Sequence, residues 1–154
     1  MKTVILYESW HHGNTRKFCE AIKKEYDVTL LNVKEDEIAL DEYDLIGIAS
    51  GIAYSKFYKE IEQVTKEKMP PGKNVFLMYT CGKPGKDFAK SIKNTLISKN
   101  CNILGTYCCK GYDTYGPLRL IGGINKEHPT EDDIQGAIKF FGDIVSELNS
   151  ARRN

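Results

Sequence analysis

A cluster of polar residues lies near the start of the chain, in segment 9–15 (Ser-Trp-His-His-Gly-Asn-Thr). An apolar run precedes it and the amphipathic segment 18–22 follows it, which predicts a strand, a turn and the start of a helix. The first N–H groups of a helix lack intrahelical partners and carry the positive end of its dipole, so they bind phosphate well. Ser9, Asn14 and Thr15 add short side chains that hydrogen-bond to phosphate oxygens. We therefore predict that a ligand phosphate binds at this turn.

Two later loops combine glycine residues with groups that suit a planar, polar ring. In segment 50–58, Gly51 permits close backbone approach and Tyr54 offers a flat apolar face. Segment 80–85 (Thr-Cys-Gly-Lys-Pro-Gly) has exposed backbone groups suited to bonding a polar ring edge. We predict that these two loops and the first turn form one pocket.

The strands that must position these loops are indicated by apolar runs. Several runs do not alternate between apolar and polar residues, which is typical of parallel strands covered on both faces. Helical segments lie between most of them, so we predict an α/β fold with a doubly wound, five-stranded parallel sheet and right-handed crossovers. Ligands bind such sheets beyond the carboxyl ends of the strands. The predicted strands span residues 4–7, 28–31, 45–49, 75–79 and 101–107.

Three further helices follow from the same patterns. Segment 57–68 ends before a Pro-Pro-Gly stop, and segment 86–99 places its apolar residues on one face. The final helix has an apolar stripe over 134–148, and Thr130 with Asp133 three residues later resembles a capping box.

Length and charge limit the class of protein. A chain of 154 residues matches a single domain spanning 1–154, and 22 basic against 21 acidic residues leave a formal charge of +1. Without a continuous basic stripe, neither nucleic acid nor a membrane surface is indicated as a partner. We find no secretory signal and no apolar run near the roughly 20 residues of a membrane span, so we expect a cytoplasmic protein.

The five cysteines form an odd set without a CxxC pair, which favours reduced thiols. In a strand, the adjacent Cys108 and Cys109 point to opposite faces, which favours two small apolar residues over a metal site. We therefore predict no metal.

Together, the Gly13-Asn14-Thr15 turn and the two later loops resemble the three FMN-binding loops of flavodoxins. Segments 111–117, 121–123 and 128–129 are also similar to a flavodoxin subgroup, so the resemblance covers nearly the whole chain. It implies a three-layer sandwich with strand order 2-1-3-4-5 and FMN as cofactor.

The resemblance implies that the first turn holds the FMN phosphate, with Trp10 covering that loop or the ribityl chain. It further implies that segment 50–54 lines one side of the flavin ring, with Tyr54 stacking, and that segment 80–85 meets the pyrimidine edge. The Gly51 peptide is a candidate to reorient when flavin N5 gains a proton. The implied cofactor-binding residues are Ser9, Trp10, His11, His12, Gly13, Asn14, Thr15, Ser50, Gly51, Ile52, Ala53, Tyr54, Thr80, Cys81, Gly82, Lys83, Gly85 and Tyr112.

Two departures from the flavodoxin pattern affect these expectations. His12 replaces the usual hydroxyl residue before Gly13, and the turn is one residue longer. Many flavodoxins are strongly acidic around the flavin, whereas lysines lie near these loops. Because nearby cations favour an anionic reduced ring, we expect a less extreme low potential. These lysines are Lys56, Lys59, Lys83 and Lys86.

Several residues have a structural alternative to a role at the cofactor. His11 and His12 are either exposed turn residues or imidazoles that gain positive charge beside a phosphate as pH falls through neutrality. Cys81 lacks a sequence-adjacent base, which favours a space-filling or backbone role over a nucleophile. Segment 112–115 either caps the cofactor, receives a partner, or forms an Asx-type turn closed by Gly116-Pro117. Phe57 and Tyr58 either contact the flavin or pack the start of the second helix.

Our leading interpretation is an electron-transfer protein that shuttles electrons between redox protein partners and has no catalytic side chain. The alternative is a flavin-dependent oxidoreductase acting on a quinone, porphyrinogen or nicotinamide substrate, since segment 50–59 also resembles flavodoxin-like protoporphyrinogen oxidases. A cofactor-free interaction module is a third class, disfavoured by three intact loops. We expect a monomer or weak dimer.

Overall fold

The computed structural model describes residues 1–9 and 12–153. Along them lie six strands and four α-helices, with one 3-10 helix at Gly116–Ile121. The strands are β1 (Thr3–Glu8), β2 (Thr29–Asn32), β3 (Leu45–Ala53), β4 (Lys56–Phe57), β5 (Asn74–Cys81) and β6 (Asn102–Lys110). The helices are α1 (Asn14–Glu25), α2 (Lys59–Lys68), α3 (Lys90–Ser98) and α4 (Glu131–Ala151).

Five strands form a parallel sheet in the order β2-β1-β3-β5-β6. This is the predicted 2-1-3-4-5 order once the short β4 is set aside, so the predicted doubly wound fold is confirmed. The carboxyl ends of β1, β3, β5 and β6 therefore meet at one edge of the sheet, where the predicted loops begin.

Alternate residues of the central strands face two separate helical layers. Val4 and Leu6 of β1 belong to the cluster that includes Ile61 of α2 and Ile92 of α3. Ile5 lies on the opposite face, in the cluster that includes Phe18 of α1 and Phe141 of α4. Burial on both faces explains why the strand segments are apolar without alternation.

The predicted start of the second helix is wrong by two residues. Lys56 and Phe57 form β4, which pairs antiparallel with Ala53 and Ile52 at the end of β3. Tyr54 and Ser55 make the reversal with φ of 51° and 62°. Phe57 is almost completely buried, so the apolar pattern that indicated a helix face reflects packing of this hairpin.

The other boundaries show where caps determine the ends of elements. Helix α3 begins at Lys90, not at residue 86, because the Asp87 carboxylate accepts the Ala89 N–H at 3.0 Å and holds residues before the helix in a turn. Helix α4 has the predicted capping box, since the Thr130 hydroxyl accepts the Asp133 N–H and the Asp133 carboxylate accepts the Thr130 N–H. Strand β6 extends to Lys110, with Cys108 exposed and Cys109 buried on opposite faces as predicted.

Across the described ranges, 1–9 and 12–153, no helix combines the length and apolar character needed to cross a membrane.

Candidate functional site

A cavity of about 490 Å³ opens at the carboxyl edge of the sheet, where the loops after β3, β5 and β6 meet. Its wall is built mostly from glycine backbone, aromatic rings and small polar side chains. The lining residues are Asn14, Gly51, Ile52, Ala53, Tyr54, Ser55, Tyr58, Thr80, Cys81, Gly82, Lys83, Phe88, Gly111, Tyr112, Asp113, Tyr115, Leu118 and Ile124.

The turn after β1 brings the amino terminus of α1 beside this cavity. Gly13 precedes the helix with φ of 65° in the left-handed region, and His12 before it has φ of 57°. The Ser9 hydroxyl accepts the Arg16 N–H at 3.2 Å and so satisfies one of the first helical amides. Trp10 and His11, both implied as phosphate-loop residues, lie outside the described residues.

Asn14 is the first residue of α1 and reaches into the cavity wall. Its Nδ2 donates to the Tyr112 carbonyl at 2.8 Å, which ties the first turn to the segment after β6. Its Oδ1 is buried and has no hydrogen-bond partner among the described residues. A buried acceptor without a donor costs free energy, so this oxygen is suited to a donor group on a ligand.

Thr15 faces the interior of the site. Its side chain is almost completely buried, and its Oγ1 lies 3.3 Å from the Oγ1 of Thr80 at the end of β5. The pair links the helix start to the central strand below the cavity, and of the two only Thr80 reaches the cavity wall.

The loop after β3 is fixed from behind by Ser50. The Ser50 hydroxyl donates to the Gly51 carbonyl at 2.7 Å and accepts the Tyr58 N–H at 2.9 Å. The Tyr58 ring packs directly over Gly51, where a Cβ would overlap the Tyr58 hydroxyl. Glycine is therefore required at position 51 by this contact.

Tyr58, for which the sequence allowed either flavin contact or packing at the start of the second helix, forms part of the cavity wall. Burial, the Glu8 carboxylate and the Asp113 carboxylate raise the pKa of its hydroxyl to about 12. Tyr58 therefore stays protonated at neutral pH and presents a neutral hydroxyl group.

Tyr54 and Tyr115 form a bridge at the mouth of the cavity. The Tyr115 hydroxyl donates to the Tyr54 hydroxyl at 2.6 Å, and the two rings meet edge to face at a centroid distance of 5.9 Å. Tyr54 is 84% exposed, so its ring lies at the mouth and has little protein packed against it.

Cys81 in the third loop lies on the cavity wall and is almost completely buried. Burial, with a smaller contribution from Cys108, raises the pKa of its thiol to about 11. The thiol is therefore protonated at neutral pH, and a space-filling or backbone role for Cys81 stays a prediction.

The segment after β6 closes the remaining side of the cavity. Asp113 and Ile124 form an antiparallel bridge, and Asn125 Nδ2 donates to the Gly82 carbonyl at 2.7 Å. The Asp113 carboxylate also accepts the Tyr115 N–H at 2.8 Å, which is the Asx-type turn weighed from the sequence. The residues that form this Asx-type turn, Asp113 and Tyr115, therefore also form part of the cavity wall.

His12 contacts this segment. Its Nε2 lies 2.9 Å from the Thr114 Oγ1, and its ring lies 4.0 Å from that of Tyr112 between centroids. His12 therefore has neighbours from the segment after β6, a contact that local sequence does not reveal.

The structure brings ten of the implied cofactor residues to the cavity wall, and six others do not line it. The ten are Asn14, Gly51, Ile52, Ala53, Tyr54, Thr80, Cys81, Gly82, Lys83 and Tyr112, and the six are Ser9, His12, Gly13, Thr15, Ser50 and Gly85. Tyr58, Asp113 and Tyr115, for which the sequence left a role at the cofactor as one alternative, also line the wall. The wall residues to which the sequence assigned no cofactor role are Ser55, Phe88, Gly111, Leu118 and Ile124.

A second cavity of about 420 Å³ lies on the other side of the Ala53–Tyr54–Tyr58 wall. Its lining is strongly charged and includes Lys34, Lys56, Lys59, Glu60 and Glu62.

Glu8 ends β1 near this second cavity and is 2% exposed. Its Oε1 lies 2.5 Å from Lys34 Nζ, while its Oε2 accepts no hydrogen bond from the described residues. Burial raises the pKa of Glu8, and the Glu60 carboxylate adds to this rise against the opposing effect of Lys34.

Comparisons with known proteins identify a matching family and a relative of this chain. A family model described as a flavodoxin domain matches residues 4–102. An uncharacterized protein of Methanocaldococcus jannaschii is 41% identical over 148 residues, which cover 94% of this chain and 99% of that protein.

Solved structures share the fold. A flavodoxin from the domain Archaea superposes with a TM-score of 0.71 at 21% identity, over 97% of this chain and 99% of that chain. A Fusobacterium nucleatum flavodoxin mutant bound to flavin mononucleotide gives 0.67 at 15% identity, over 96% and 97%.

Proposed function

The chain belongs to the flavodoxin family, and from that premise we propose that it binds FMN in the cavity at the carboxyl edge and transfers electrons between redox partners. The observation that carries the proposal is this cavity of about 490 Å³, which lies beside the amino terminus of α1 and between glycine-rich loops. We further propose that the protein is a single domain that works in the cytoplasm.

The residues of the cavity fit a flavin nucleotide. The Asn14 Oδ1 is a buried acceptor that lacks a donor among the described residues, and a ribityl hydroxyl would supply one. The first amides of α1 and the Ser9 to Thr15 turn would hold the phosphate. Segments 51–54 and 80–85 and the Tyr112 ring would hold the isoalloxazine.

When bound, FMN supplies the redox chemistry, since its ring accepts electrons singly or in pairs. The side chains bind and orient it. The thiol of Cys81 and the hydroxyl of Tyr58 both remain protonated at neutral pH and offer no nucleophile. Because the Ser50 hydroxyl holds the Gly51 carbonyl, reorientation of that peptide requires this hydrogen bond to break.

The test is an anaerobic reductive titration of the purified protein after reconstitution with FMN, followed by visible absorbance. We expect stoichiometric FMN binding and reduction in two separate one-electron steps. Direct two-electron reduction would contradict shuttling, and failure to bind FMN would contradict the proposal altogether. Riboflavin, which lacks the phosphate, is the matched ligand control and is expected to bind more weakly.

The second cavity favours one alternative, a flavin-dependent oxidoreductase. Lys34 is paired with Glu8 and Glu60, but Lys56 and Lys59 could attract an anionic substrate. This cavity shares the wall formed by Ala53, Tyr54 and Tyr58 with the first cavity. Turnover assays with a quinone, a porphyrinogen and a nicotinamide separate the two functions. Saturable turnover that Lys56→Glu abolishes, with FMN still bound, would favour the enzyme.

A further inference from the structure

A buried carboxyl group lies beside two of the loops that surround the first cavity. Glu8 ends β1, one residue before the Ser9 turn, and is paired in register with Ser50 of β3. The Ser50 hydroxyl in turn holds the Gly51 carbonyl of the second loop. Because Glu8 is almost completely buried, water and salt screen its charge only weakly. The fold therefore places a weakly screened ionisable group next to the wall of the cavity.

The groups around Glu8 hold one positive charge too few. Lys34 Nζ lies 2.5 Å from the Glu8 Oε1 and 3.9 Å from the Glu60 Oε1, so one ammonium group serves two carboxylates. When all three groups are ionised the cluster carries −1, and the Glu8 Oε2 accepts no hydrogen bond from the described residues. We call these three residues the Glu8 cluster. A single proton neutralises it.

The charge of Glu8 reaches the wall of the first cavity. Besides burial, the Glu8 carboxylate raises the pKa of Tyr58, whose ring packs over Gly51 and lines that cavity. Electrostatic interactions act in both directions, so negative charge gained in the cavity raises the pKa of Glu8 in turn.

We propose that Glu8 takes up a proton when FMN bound in the first cavity is reduced. The inference rests on the proposed function and adds a proton-holding residue to it. The electron enters the cofactor from the redox donor, while the proton comes from solvent and converts the Glu8 carboxylate into a neutral carboxylic acid. One O–H bond forms at Glu8, and it breaks again when the acceptor oxidises the cofactor.

The second cavity gives this proton access from solvent. Lys34 follows β2 and Glu60 lies in the first turn of α2, and both line the second cavity with their side chains nearly half exposed. Glu8 lies behind them, so we expect protons to reach it through the cluster and not through the first cavity. The other charged residues that line the second cavity are Lys56, Lys59 and Glu62.

The test is a potentiometric titration of the FMN-loaded protein, followed by visible absorbance, from about pH 5 to about pH 9. Reduction also protonates the flavin ring, so the informative quantity is the difference in potential between the wild type and Glu8→Gln, which cannot ionise. We expect similar potentials at low pH, where Glu8 is neutral. At high pH the Glu8 carboxylate opposes the charge of the reduced ring, so the wild-type potential falls below that of the variant. A difference that is constant with pH would overturn the proposal.

Two surface substitutions are expected to move this pH dependence in opposite directions. Burial and Glu60 raise the pKa of Glu8, whereas Lys34 opposes the rise. Proton uptake should therefore occur at lower pH in Glu60→Gln and at higher pH in Lys34→Gln, measured by the slope of potential against pH. Both variants test the proposal even if Glu8→Gln does not fold. An unchanged pH dependence in both would overturn it.

A matched control separates Glu8 from net charge. Asp143→Asn neutralises an exposed carboxylate that also pairs with a lysine, Lys139 at 2.7 Å, and that lines neither cavity. We expect this variant to keep the pH dependence of the wild type. An effect equal to that of Glu8→Gln would contradict a role specific to Glu8.

Infrared difference spectra of the reduced minus the oxidised protein identify the group that is protonated. We expect the band of a protonated carboxyl group to appear on reduction, with about half a proton taken up per FMN, and to be absent in Glu8→Gln. A band that persists in Glu8→Gln would assign the proton to another group and overturn the proposal. Failure to bind FMN would overturn the proposed function together with this inference, whereas normal FMN binding and reduction without an effect of Glu8 would overturn this inference alone.

Discussion

The two cavities share a wall but differ in their chemistry. The first is lined mainly by glycine backbone, aromatic rings and neutral side chains, with Lys83 and Asp113 as its charged members. The second has five charged residues among its nine lining residues. The thin loop at residues 53–58 therefore separates a surface suited to a flat, largely apolar ring from a surface suited to an ion.

Gly51→Val is expected to have the largest effect, because it breaks the wall between the cavities. A side chain at position 51 would overlap the Tyr58 ring, so either the ring or the loop must move. We expect a loss of about 3 kcal/mol or more in the free energy of unfolding, and FMN affinity reduced about a hundredfold. Urea unfolding and FMN titration measure the two effects.

The matched control for this substitution is Ala39→Val, which adds volume at an exposed residue that lines neither cavity and is expected to leave FMN affinity unchanged. Wild-type FMN affinity in Gly51→Val would show that the wall does not shape the first cavity.

Asn14→Leu tests the neutral cavity alone. It removes the hydrogen bond to the Tyr112 carbonyl and the acceptor assigned to a ligand hydroxyl. We expect FMN binding to weaken by about 2 kcal/mol, measured by fluorescence titration. Asn102→Leu removes an exposed amide bonded to Asn74, away from both cavities, and is expected to leave FMN affinity unchanged.

Glu8→Gln tests the buried carboxylate beside the charged second cavity. The pKa of Glu8 is raised by burial and by Glu60 above its ordinary value of 4.5, so the folded state holds this proton more tightly than the unfolded state. The resulting stabilisation is complete below about pH 4.5 and is lost as pH rises through the folded pKa.

We therefore expect the free energy of unfolding of Glu8→Gln, relative to that of the wild type, to increase by about 1 kcal/mol as pH rises from 4 to 7. Urea unfolding across this pH range measures the difference. Glu20→Gln, which removes an exposed pair with Arg16, is the control and should show no such trend. A difference that is constant with pH would show that the raised pKa of Glu8 is not linked to folding.

Tyr115→Phe is expected to have the smallest effect. It removes only the exposed hydroxyl bridge to Tyr54 at the cavity mouth. Stability should change by less than about 0.5 kcal/mol, as is usual for surface substitutions. Thermal unfolding measures this change, and a much larger loss would show that the bridge organises the loop and not just its outer edge.

The sheet could be predicted from sequence because its strands are buried on both faces, which makes runs such as 45–49 and 75–79 apolar throughout. The short β4 could not, because two residues carry no periodicity and Phe57 fits an apolar helix face equally well.

The residues of the candidate site likewise divide into those with a local sequence signal and those placed by contacts between distant segments. Glycines, hydroxyl residues and the loop order are local signals, and they predicted the walls at Gly51, Thr80 and Gly82. Contacts between distant segments have no local signal, so the pairing of His12 with Tyr112 and the position of Tyr58 over Gly51 could not be predicted. The Asp113 turn was predicted as an alternative because an Asx-type turn depends on neighbouring residues only.

The bridge between Asp113 and Ile124 has a consequence for how this protein can evolve. It closes the segment at its base, so residues 114–123 form a tip whose length and composition can vary at small entropic cost to the base. The base helps to build the cavity wall, and the tip carries Leu120 and Ile121. Tyr115 and Leu118 of this tip line the cavity and are constrained by it, whereas mutations at the exposed Leu120 and Ile121 can change the outer surface while the cavity wall is inherited unaltered.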